Sequence, residues 1–408
     1  MNKRKIINDP VYGFISIPTE LIFELISHPY FQRLRRIRQL GLAEFVYTGA
    51  THSRFQHALG AMYLMGQAMD VLRGKGVEIS NTEKESAQIA ILLHDLGHGP
   101  FSHVLEHSIL PNVSHEEISL ALMVKLNEIF NNSLTTAIEM FKGSYSRPFF
   151  NQLISSQLDI DRLDYLHRDS FFTGVVEGTI GVERIIKMMC VVDNQLAIED
   201  KGILSIDNFL NARRIMYWQV YLHKTSIAAE VMLKGMIDLV KKDADVSMPN
   251  GCSDTLNELF NIDLNESPLQ SEKFINLFTS LDDVDMWSSI KNWQRSENST
   301  LSFLSQSFIN RRLFKIKFYP NQADLNLQKK IKVDELKKIN LVEDIHYLVQ
   351  SGEISNKAYI AGNSTIKIAM KNGEIRDIIN ASDLPTIEAL SNIVKKSYLS
   401  WVNPLYLR

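Results

Sequence analysis

Histidines crowd into one short stretch of the chain, where their type and spacing could hold a metal ion. Of the eleven histidines, five lie within 22 residues of one another: His94, His98, His103, His107 and His115. His94 precedes Asp95, and the apolar run before them predicts that the pair stands at the end of a buried helix. Unpaired polar groups are costly to bury, so this pair needs a partner. The partner is either a divalent cation or, if the pair is structural, a hydrogen-bonding group of the protein.

Two further segments carry residues suited to the same chemistry. One contains an arginine and a histidine at a spacing of three, Arg54 and His57. The other holds four aspartates among apolar residues: Asp159, Asp161, Asp164 and Asp169. On a helix, Asp161 would share a face with Asp164 and Tyr165. Carboxylates this dense on a partly apolar helix usually have cationic partners, which are either a metal ion or arginines of the same segment.

The elements that must position these side chains are mostly helical. From Thr19 to about Tyr347 the apolar residues recur with helical spacing. Ser80 and Glu83 have the spacing of a capping box, and they predict a helix that ends at 97–100, where glycine and proline prevent its continuation. Within that helix His94 and His98 would lie on one face. Residues 243–271 are polar and predict a surface connection.

Strands are predicted at the two ends of the chain. Residues 6–17 predict two short strands around a turn. In residues 313–319, apolar and polar side chains alternate, which predicts another strand. A further hairpin is predicted around Asn372-Gly373. The sequence therefore predicts a mostly α-helical fold with an N-terminal β-hairpin and a C-terminal α+β region. We expect three units, which are 1–50 (hairpin and helix), 51–310 (helical catalytic body) and 311–408 (α+β region).

Composition excludes several classes of protein. Apolar residues make up 45% of the 408 positions, which is enough for a large core and argues against disorder. The net charge of −3 disfavours a protein that coats nucleic acid, and no aromatic and basic platform for single strands is evident. Two cysteines cannot build a disulfide framework. No apolar run is long enough to span a bilayer, and we expect a cytoplasmic protein without a membrane partner.

The positions of these residues match a known signature. His57, His94-Asp95 and Asp161 match the H…HD…D pattern of the HD-domain metal-dependent phosphohydrolases. The wider match, over about residues 5–225, resembles the deoxynucleoside triphosphate triphosphohydrolases. The resemblance is nearest to the catalytic domain of the vertebrate SAM-and-HD-domain enzyme, without its SAM domain. It rests on Asn8-Asp9-Pro10, Phe31-Gln32-Arg33-Leu34-Arg35, Gln39-Leu40-Gly41, Ser53-Arg54-Phe55-Gln56-His57 and the ten residues from His94 to His103.

The resemblance implies a metal centre and catalytic histidines. The implied ligands of one divalent ion (Mg, Mn, Fe, Ni or Zn) are His57, His94, Asp95 and Asp161. His115, which Glu116 could orient, is the first choice for assisting proton transfer, and His103 is the alternative donor to the leaving oxygen. The third histidine that matches a catalytic position is His98. His107 has no counterpart in the family and is interpreted as structural.

The resemblance also implies a substrate pocket. Arg54 would pair with phosphate, Arg213 aligns with a phosphate-contacting arginine, and Arg162 stands where the family has a lysine. Tyr165 would lie under the sugar and crowd a 2′-hydroxyl. Gln39 and Asp169 would hold the 3′-hydroxyl. Leu40, which follows Gln39 in the same motif, is a further candidate substrate-binding residue.

Residues that match the family's activator-nucleotide pocket show departures from the pattern. The matching candidates are Lys5, Asn8, Gln32 and Arg35. Ser27 stands in place of a guanine-reading aspartate, and Ala197 replaces an activator-contacting arginine. Tyr217-Trp218-Gln219 replaces a basic run near the phosphates. We therefore predict no strict requirement for a guanine nucleotide. As a charge run, Arg33, Arg35, Arg36 and Arg38 are interpreted as a solvated helix face.

The predicted activity is metal-dependent hydrolysis of a dNTP to deoxynucleoside and inorganic triphosphate. Two alternatives stay open at this point, namely an HD-type phosphatase or phosphodiesterase acting on another nucleotide, and a non-enzymatic nucleotide sensor. The expected partners are the nucleotide substrate, a candidate nucleotide activator and further copies of the chain in a dimer or tetramer.

Overall fold

A computed structural model describes most of the chain. The described residues are 5–101, 113–242, 252–261, 269, 271–338, 344–356, 359, 365–384, 387, 390–403 and 406. The predicted roles of His103 and His107 lie outside the described residues. Within the described part of the chain, no helix combines the length and the apolar character needed to cross a bilayer.

Helices dominate the fold. The helices are α1 (Glu20–Ser27), α2 (Pro29–Gln32), α3 (Arg54–Gly74), α4 (Asn81–Leu93), α5 (His115–Ile129), α6 (Thr135–Lys142), α7 (Phe149–Ile154), α8 (Ile160–Thr173), α9 (Val182–Met188), α10 (Ile203–Met216), α11 (Lys224–Lys242), α12 (Asp254–Phe260), α13 (Glu272–Ser280), α14 (Asp283–Trp293), α15 (Ser299–Ile309), α16 (Gln322–Lys337), α17 (Ile345–Leu348) and α18 (Ile378–Ala381). Short 3₁₀ helices span Arg33–Arg36, Gly41–Phe45, Val176–Gly178 and Asp200–Gly202, and Tyr217–Tyr221 form a π-helical turn.

In the described part of the chain, the strands form three separate sheets. They are β1 (Ile6–Asp9), β2 (Gly13–Ser16), β3 (Met189–Val192), β4 (Gln195–Glu199), β5 (Lys315–Tyr319), β6 (Val349–Asn356), β7 (Lys367–Ala369), β8 (Ile375–Asp377) and β9 (Val394–Trp401). Strands β1 and β2 pair as an antiparallel hairpin. The order of the second sheet is β3-β4-β7-β8, with β4 and β7 parallel, and β9 lies between β5 and β6 in the third. The mostly α fold with an N-terminal hairpin and C-terminal sheets is confirmed.

Helix α3 runs through the core and carries the first site residue. Most of its residues are buried, and it packs against both α4 and α8. Small side chains allow this close packing. At Gly60, a Cβ atom would come within 2.1 Å of Asp164 Oδ1 on α8, so only glycine fits there. The packing brings His57 on α3 beside the end of α4 and the first turn of α8.

Local capping explains where the site helices begin. Ser80 Oγ accepts from the Glu83 amide of α4, while Glu83 Oε2 accepts from the Ser80 amide, as the capping box predicts. Asp159 caps α8 by accepting from the Arg162 amide, and Gly174 ends that helix at a positive φ of 73°. These caps fix the register of the residues that follow, including Asp161 in the first turn of α8.

Several predictions differ from the structure. Helix α4 ends at Leu93 and the chain continues as turns, so His98 does not share a helix face with His94. The hairpin β3–β4 interrupts the predicted helical body at Asp193 and Asn194, which both have positive φ and suit a tight turn. Helix α12 lies inside the predicted surface connection. These features depend on short local signals. The helical spacing of apolar residues was judged over a long stretch of the chain, and such short signals are lost in it.

Candidate active site

Three elements aim metal-binding atoms at one point. His57 on α3, His94 directly after α4 and Asp161 on α8 place one ligand atom each within 4.8 Å of one another. The Nε2 atoms of His57 and His94 are 3.4 Å apart, and Asp161 Oδ1 lies 3.1 Å from the first and 3.4 Å from the second. Adjacent ligands about 2.1 Å from an ion and at right angles are themselves about 3 Å apart. The separations therefore suit a small divalent cation.

The second nitrogen of each ring shows why this cluster suits a cation. His57 Nδ1 lies 2.8 Å from Asp164 Oδ2, and His94 Nδ1 lies 2.6 Å from the carbonyl oxygen of Ile91. A carbonyl can only accept, so His94 Nδ1 carries a proton there. In the neutral rings both Nε2 lone pairs then point at the same place, as in metal centres whose ligands are held by outer carboxylates or carbonyls.

Asp95 lies beside this cluster rather than at its centre. Its Oδ1 is 3.3 Å from His94 Nε2, and its Oδ2 accepts at 2.6 Å from Arg54 Nη1. The buried pair of Asp95 and Arg54 connects the metal-binding atoms to the cation predicted to contact phosphate. The structure thus brings three of the four predicted ligands to one point and places the fourth at its edge.

The electrostatics of the cluster follow from burial and dense carboxylates. Burial lowers the pKa of His57, but its bonds to Asp161 and Asp164 outweigh this effect and raise the pKa to about 10. Burial raises the pKa of Asp161, but the two facing imidazoles hold it well below its usual range. The carboxylates therefore stay ionised at neutral pH, and the cluster attracts positive charge.

The predicted catalytic histidines lie next to one another. The rings of His98 and His115 stack with centroids 3.9 Å apart, and His115 Nε2 lies 3.3 Å from Glu116 Oε1. Burial lowers the pKa of His98 to about 3. His98 is therefore neutral near pH 7, while His115 is more exposed and adjoins a carboxylate.

A buried arginine holds the turn that carries His98. The Arg33 guanidinium donates to the carbonyl oxygens of Leu96 (3.1 Å), His98 (2.8 Å) and Leu281 (2.7 Å). Only 1% of Arg33 is exposed, and burial lowers its pKa to about 9. The interpretation of the Arg33–Arg38 charge run as a solvated face is thus wrong for this residue, which faces inward because three carbonyls there need donors.

At the far end of α8, Asp169 is held in a fixed orientation. Its Oδ1 lies 2.7 Å from His52 Nε2, and its Oδ2 accepts at 2.7 Å from the Tyr221 hydroxyl. Phe172 stacks on the His52 ring with centroids 4.5 Å apart. The sequence analysis did not find His52 or Tyr221. No local signal marks them, because they are 117 and 52 residues from Asp169 in the chain.

One cavity of about 420 Å³ connects these groups. Its walls include most of the predicted site residues, which are Gln39, Leu40, Arg54, His94, Asp95, His98, His115, Glu116, Asp161, Arg162, Tyr165 and Asp169. Tyr217, which was expected near the phosphates, also lines it. Four further lining residues had not been predicted, namely Phe101, Phe141, Tyr221 and Glu230. Fully buried His57 lies behind the wall. Arg213 does not line the cavity, and its guanidinium lies 5.9 Å from the ring of Tyr217.

The candidate activator residues are spread over the N-terminal part of the fold. Arg35 Nε donates to Gln32 Oε1 at 2.8 Å, and the Arg35 guanidinium covers the Phe55 ring. The Lys5 ammonium lies over the Phe23 ring of α1, and Asn8 belongs to β1. The activator role of these residues stays a prediction.

Fold and site together are those of a helical hydrolase of the HD class, with a cluster that could hold a metal ion. Family models match the HD domain over residues 54–169 and the HD associated region over residues 180–252. A crystallised phosphohydrolase from Bacteroides thetaiotaomicron is 46% identical, with a TM-score of 0.93, and the match covers 98% of this chain and 100% of the other. A hypothetical protein from Aquifex aeolicus is 26% identical, with a TM-score of 0.72 over 99% and 98% of the two chains.

Two curated relatives complete the comparison. The uncharacterized Bacillus subtilis protein YwfO is 31% identical over 96% of this chain and 90% of its own length. The human deoxynucleoside triphosphate triphosphohydrolase SAMHD1 is 30% identical over 56% of this chain and 43% of its own length. The chain belongs to the HD-domain phosphohydrolases, as the motif resemblance predicted.

Proposed function

We propose that the protein hydrolyses deoxynucleoside triphosphates to the deoxynucleoside and inorganic triphosphate, with one divalent metal ion at His57, His94, Asp95 and Asp161. One observation carries the proposal. Asp161, Tyr165 and Asp169 follow each other at intervals of four along α8, and all three line the same cavity. A stripe about 12 Å long therefore joins the metal-binding atoms to an aromatic ring and a fixed carboxylate.

The phosphate end of the cavity has the groups that hydrolysis requires. The bound ion would act as a Lewis acid on the phosphate and favour deprotonation of the attacking water. Arg54 provides a guanidinium fork beside the donor set for the anionic oxygens. Attack at the α-phosphorus releases the 5′ oxygen, which needs a proton. His115, beside Glu116 and stacked on His98, is the proposed donor.

The sugar end supports a deoxynucleoside. Asp169, held by His52 and Tyr221, can accept a hydrogen bond from a 3′-hydroxyl. Gln39 Oε1 is buried in the wall and accepts no hydrogen bond from the described residues, so it can accept one from a ligand. The ring of Tyr165 would crowd a 2′-hydroxyl. The human relative is a deoxynucleoside triphosphate triphosphohydrolase, which agrees with this choice of substrate.

A second candidate function is hydrolysis of another nucleotide, as an HD-type phosphatase or phosphodiesterase. Tyr217 and Glu230 line the cavity, so part of its wall is aromatic or acidic where a triphosphate would favour positive charge. A substrate with fewer charges would tolerate that wall better. An activator nucleotide and a dimer or tetramer are also proposals from the resemblance.

The test is a substrate panel on purified enzyme with Mg²⁺, Mn²⁺ or no added metal. Released triphosphate is measured separately from phosphate, and the panel includes dNTPs, rNTPs and nucleoside monophosphates and diesters. We expect triphosphate from dNTPs only, without a strict need for GTP. Equal turnover of rNTPs would contradict the sugar assignment and favour the second candidate.

Variants of the donor set test the metal assignment in the same assay. His57→Ala and Asp161→Ala should each lose most bound metal and activity, because each removes one of the three converging atoms. His346→Ala, which changes an exposed histidine far along the chain, is the matched control. Full metal occupancy in Asp161→Ala would show that this carboxylate is not a ligand.

A further inference from the structure

A series of buried ion pairs connects the N-terminal hairpin to the candidate metal centre. His57 Nδ1 lies 2.8 Å from Asp164 Oδ2, and the same oxygen accepts from Arg168 Nε at 2.9 Å. Arg168 Nη1 in turn donates at 2.8 Å to Oδ2 of Asp9, which is the last residue of β1. All four residues are at most 3% exposed, so water does not screen these contacts.

We infer that Asp9 is a positioning residue for the metal centre, acting through Arg168 and Asp164 on the imidazole of His57. The inference rests on the assignment of His57 as a metal ligand. It extends that assignment to Asp9 in the hairpin, which lies 48 residues before His57 in the chain.

The geometry around Asp9 makes the hairpin and the ion pair one unit. Asp9 Oδ1 accepts from the amides of Val11 and Tyr12, so this carboxylate also fixes the turn between β1 and β2. The Tyr12 ring then lies against the Arg168 guanidinium, 5.5 Å from centroid to carbon. A hairpin that is correctly folded therefore presents its carboxylate to Arg168 in one orientation.

The guanidinium of Arg168 transmits that orientation because it has little freedom. Its Nε and Nη2 both donate to Asp164, while Nη1 donates to Asp9, so two carboxylates fix one planar group from two sides. The close approach of Gly60 leaves no room behind Asp164 and Arg168. If Asp9 loses its charge and its Oδ2 acceptor, Arg168 keeps only a long bond to Oδ1 on that side, 3.4 Å, and Asp164 holds the His57 ring less firmly.

The experiment measures Mn²⁺ affinity of the metal-free protein, using EPR of unbound Mn²⁺ during titration. Asp9→Asn keeps the Oδ1 acceptor of the turn and replaces Oδ2, which accepts from Arg168 Nη1, so only the longer bond from Arg168 Nη2 to Oδ1, 3.4 Å, remains. We expect it to weaken Mn²⁺ binding about threefold to tenfold, and Asp164→Asn to weaken it about 10- to 100-fold. Ile15→Val, a buried apolar change in the same hairpin, is the control for stability and should leave the affinity unchanged.

A double-mutant cycle separates positioning from general loosening. If Asp9 acts through Asp164, then Asp9→Asn has no further effect in the Asp164→Asn background. An unchanged affinity in Asp9→Asn, an equal effect in both backgrounds, or a matching loss in Ile15→Val would each overturn the inference. If Asp9→Asn does not fold, Arg168→Lys replaces it, because lysine keeps the charge but loses the fork. Wild-type affinity in His57→Ala would instead refute the metal assignment itself.

Discussion

Removal of the Tyr221 hydroxyl tests the proposed sugar site most directly. Tyr221→Phe deletes the donor that lies 2.7 Å from Asp169 Oδ2 and leaves the ring in place. A hydrogen bond to a charged group contributes about 1.5–3 kcal/mol. Asp169 keeps its bond to His52, and Tyr221 lies on the cavity wall where water can replace the hydroxyl, so the lower end applies. Because a change of about 1.4 kcal/mol in the activation free energy corresponds to a tenfold change in rate, we expect kcat/KM for a dNTP to fall about tenfold.

The assay compares a dNTP with its 2′,3′-dideoxy analogue. The analogue cannot bond Asp169, so its kcat/KM should change less than about twofold in Tyr221→Phe, although it is a poor substrate for both enzymes. Tyr217→Phe is the matched control, since the Tyr217 ring packs edge-on against Tyr221 while Asp169 accepts from Tyr221 and His52. Equal losses for both substrates would refute the assignment of Asp169 to the 3′-hydroxyl.

Two further predictions concern the scaffold of the site. Gly60→Ala should lower the free energy of unfolding by about 1–3 kcal/mol, because its Cβ would come within 2.1 Å of Asp164 and 2.2 Å of Arg168. Gly74→Ala is the control, because its Cβ meets open space, and it should change the free energy of unfolding by less than about 1 kcal/mol. Similar urea midpoints for the two variants would contradict this reasoning. Arg33→Met should cost at least about 3 kcal/mol and lower kcat, since three buried carbonyls lose their donor. Thermal unfolding and steady-state kinetics check this, and a stable variant with unchanged kcat would disprove it.

Local interactions made much of this protein predictable. The capping box at Ser80 and the Asn372-Gly373 turn act between residues a few positions apart, so the sequence predicts the start of α4 and the hairpin β7–β8. The end of α4 was predicted at 97–100, but the helix ends at Leu93. The H…HD…D pattern similarly identified His57, His94 and Asp161 as residues that meet in space, and the HD family was confirmed. A pattern of this kind carries over because the ligands of one ion must have the same chemical types wherever the fold recurs.

Contacts between distant segments required the folded chain. The sequence did not show that Asp164 orients His57, that His52 and Tyr221 hold Asp169, or that Arg33 is buried, because these partners are 52 to 248 residues apart. Tyr221 illustrates the reason. It is the last residue of a π-helical turn, Tyr217–Tyr221, which departs from the regular α-helical period, so that period does not predict which side it faces. The sequence alone therefore determined the residue types of the site and the elements that carry them, whereas the packing of α3, α4 and α8 decided their distances, burial and hydrogen-bond partners.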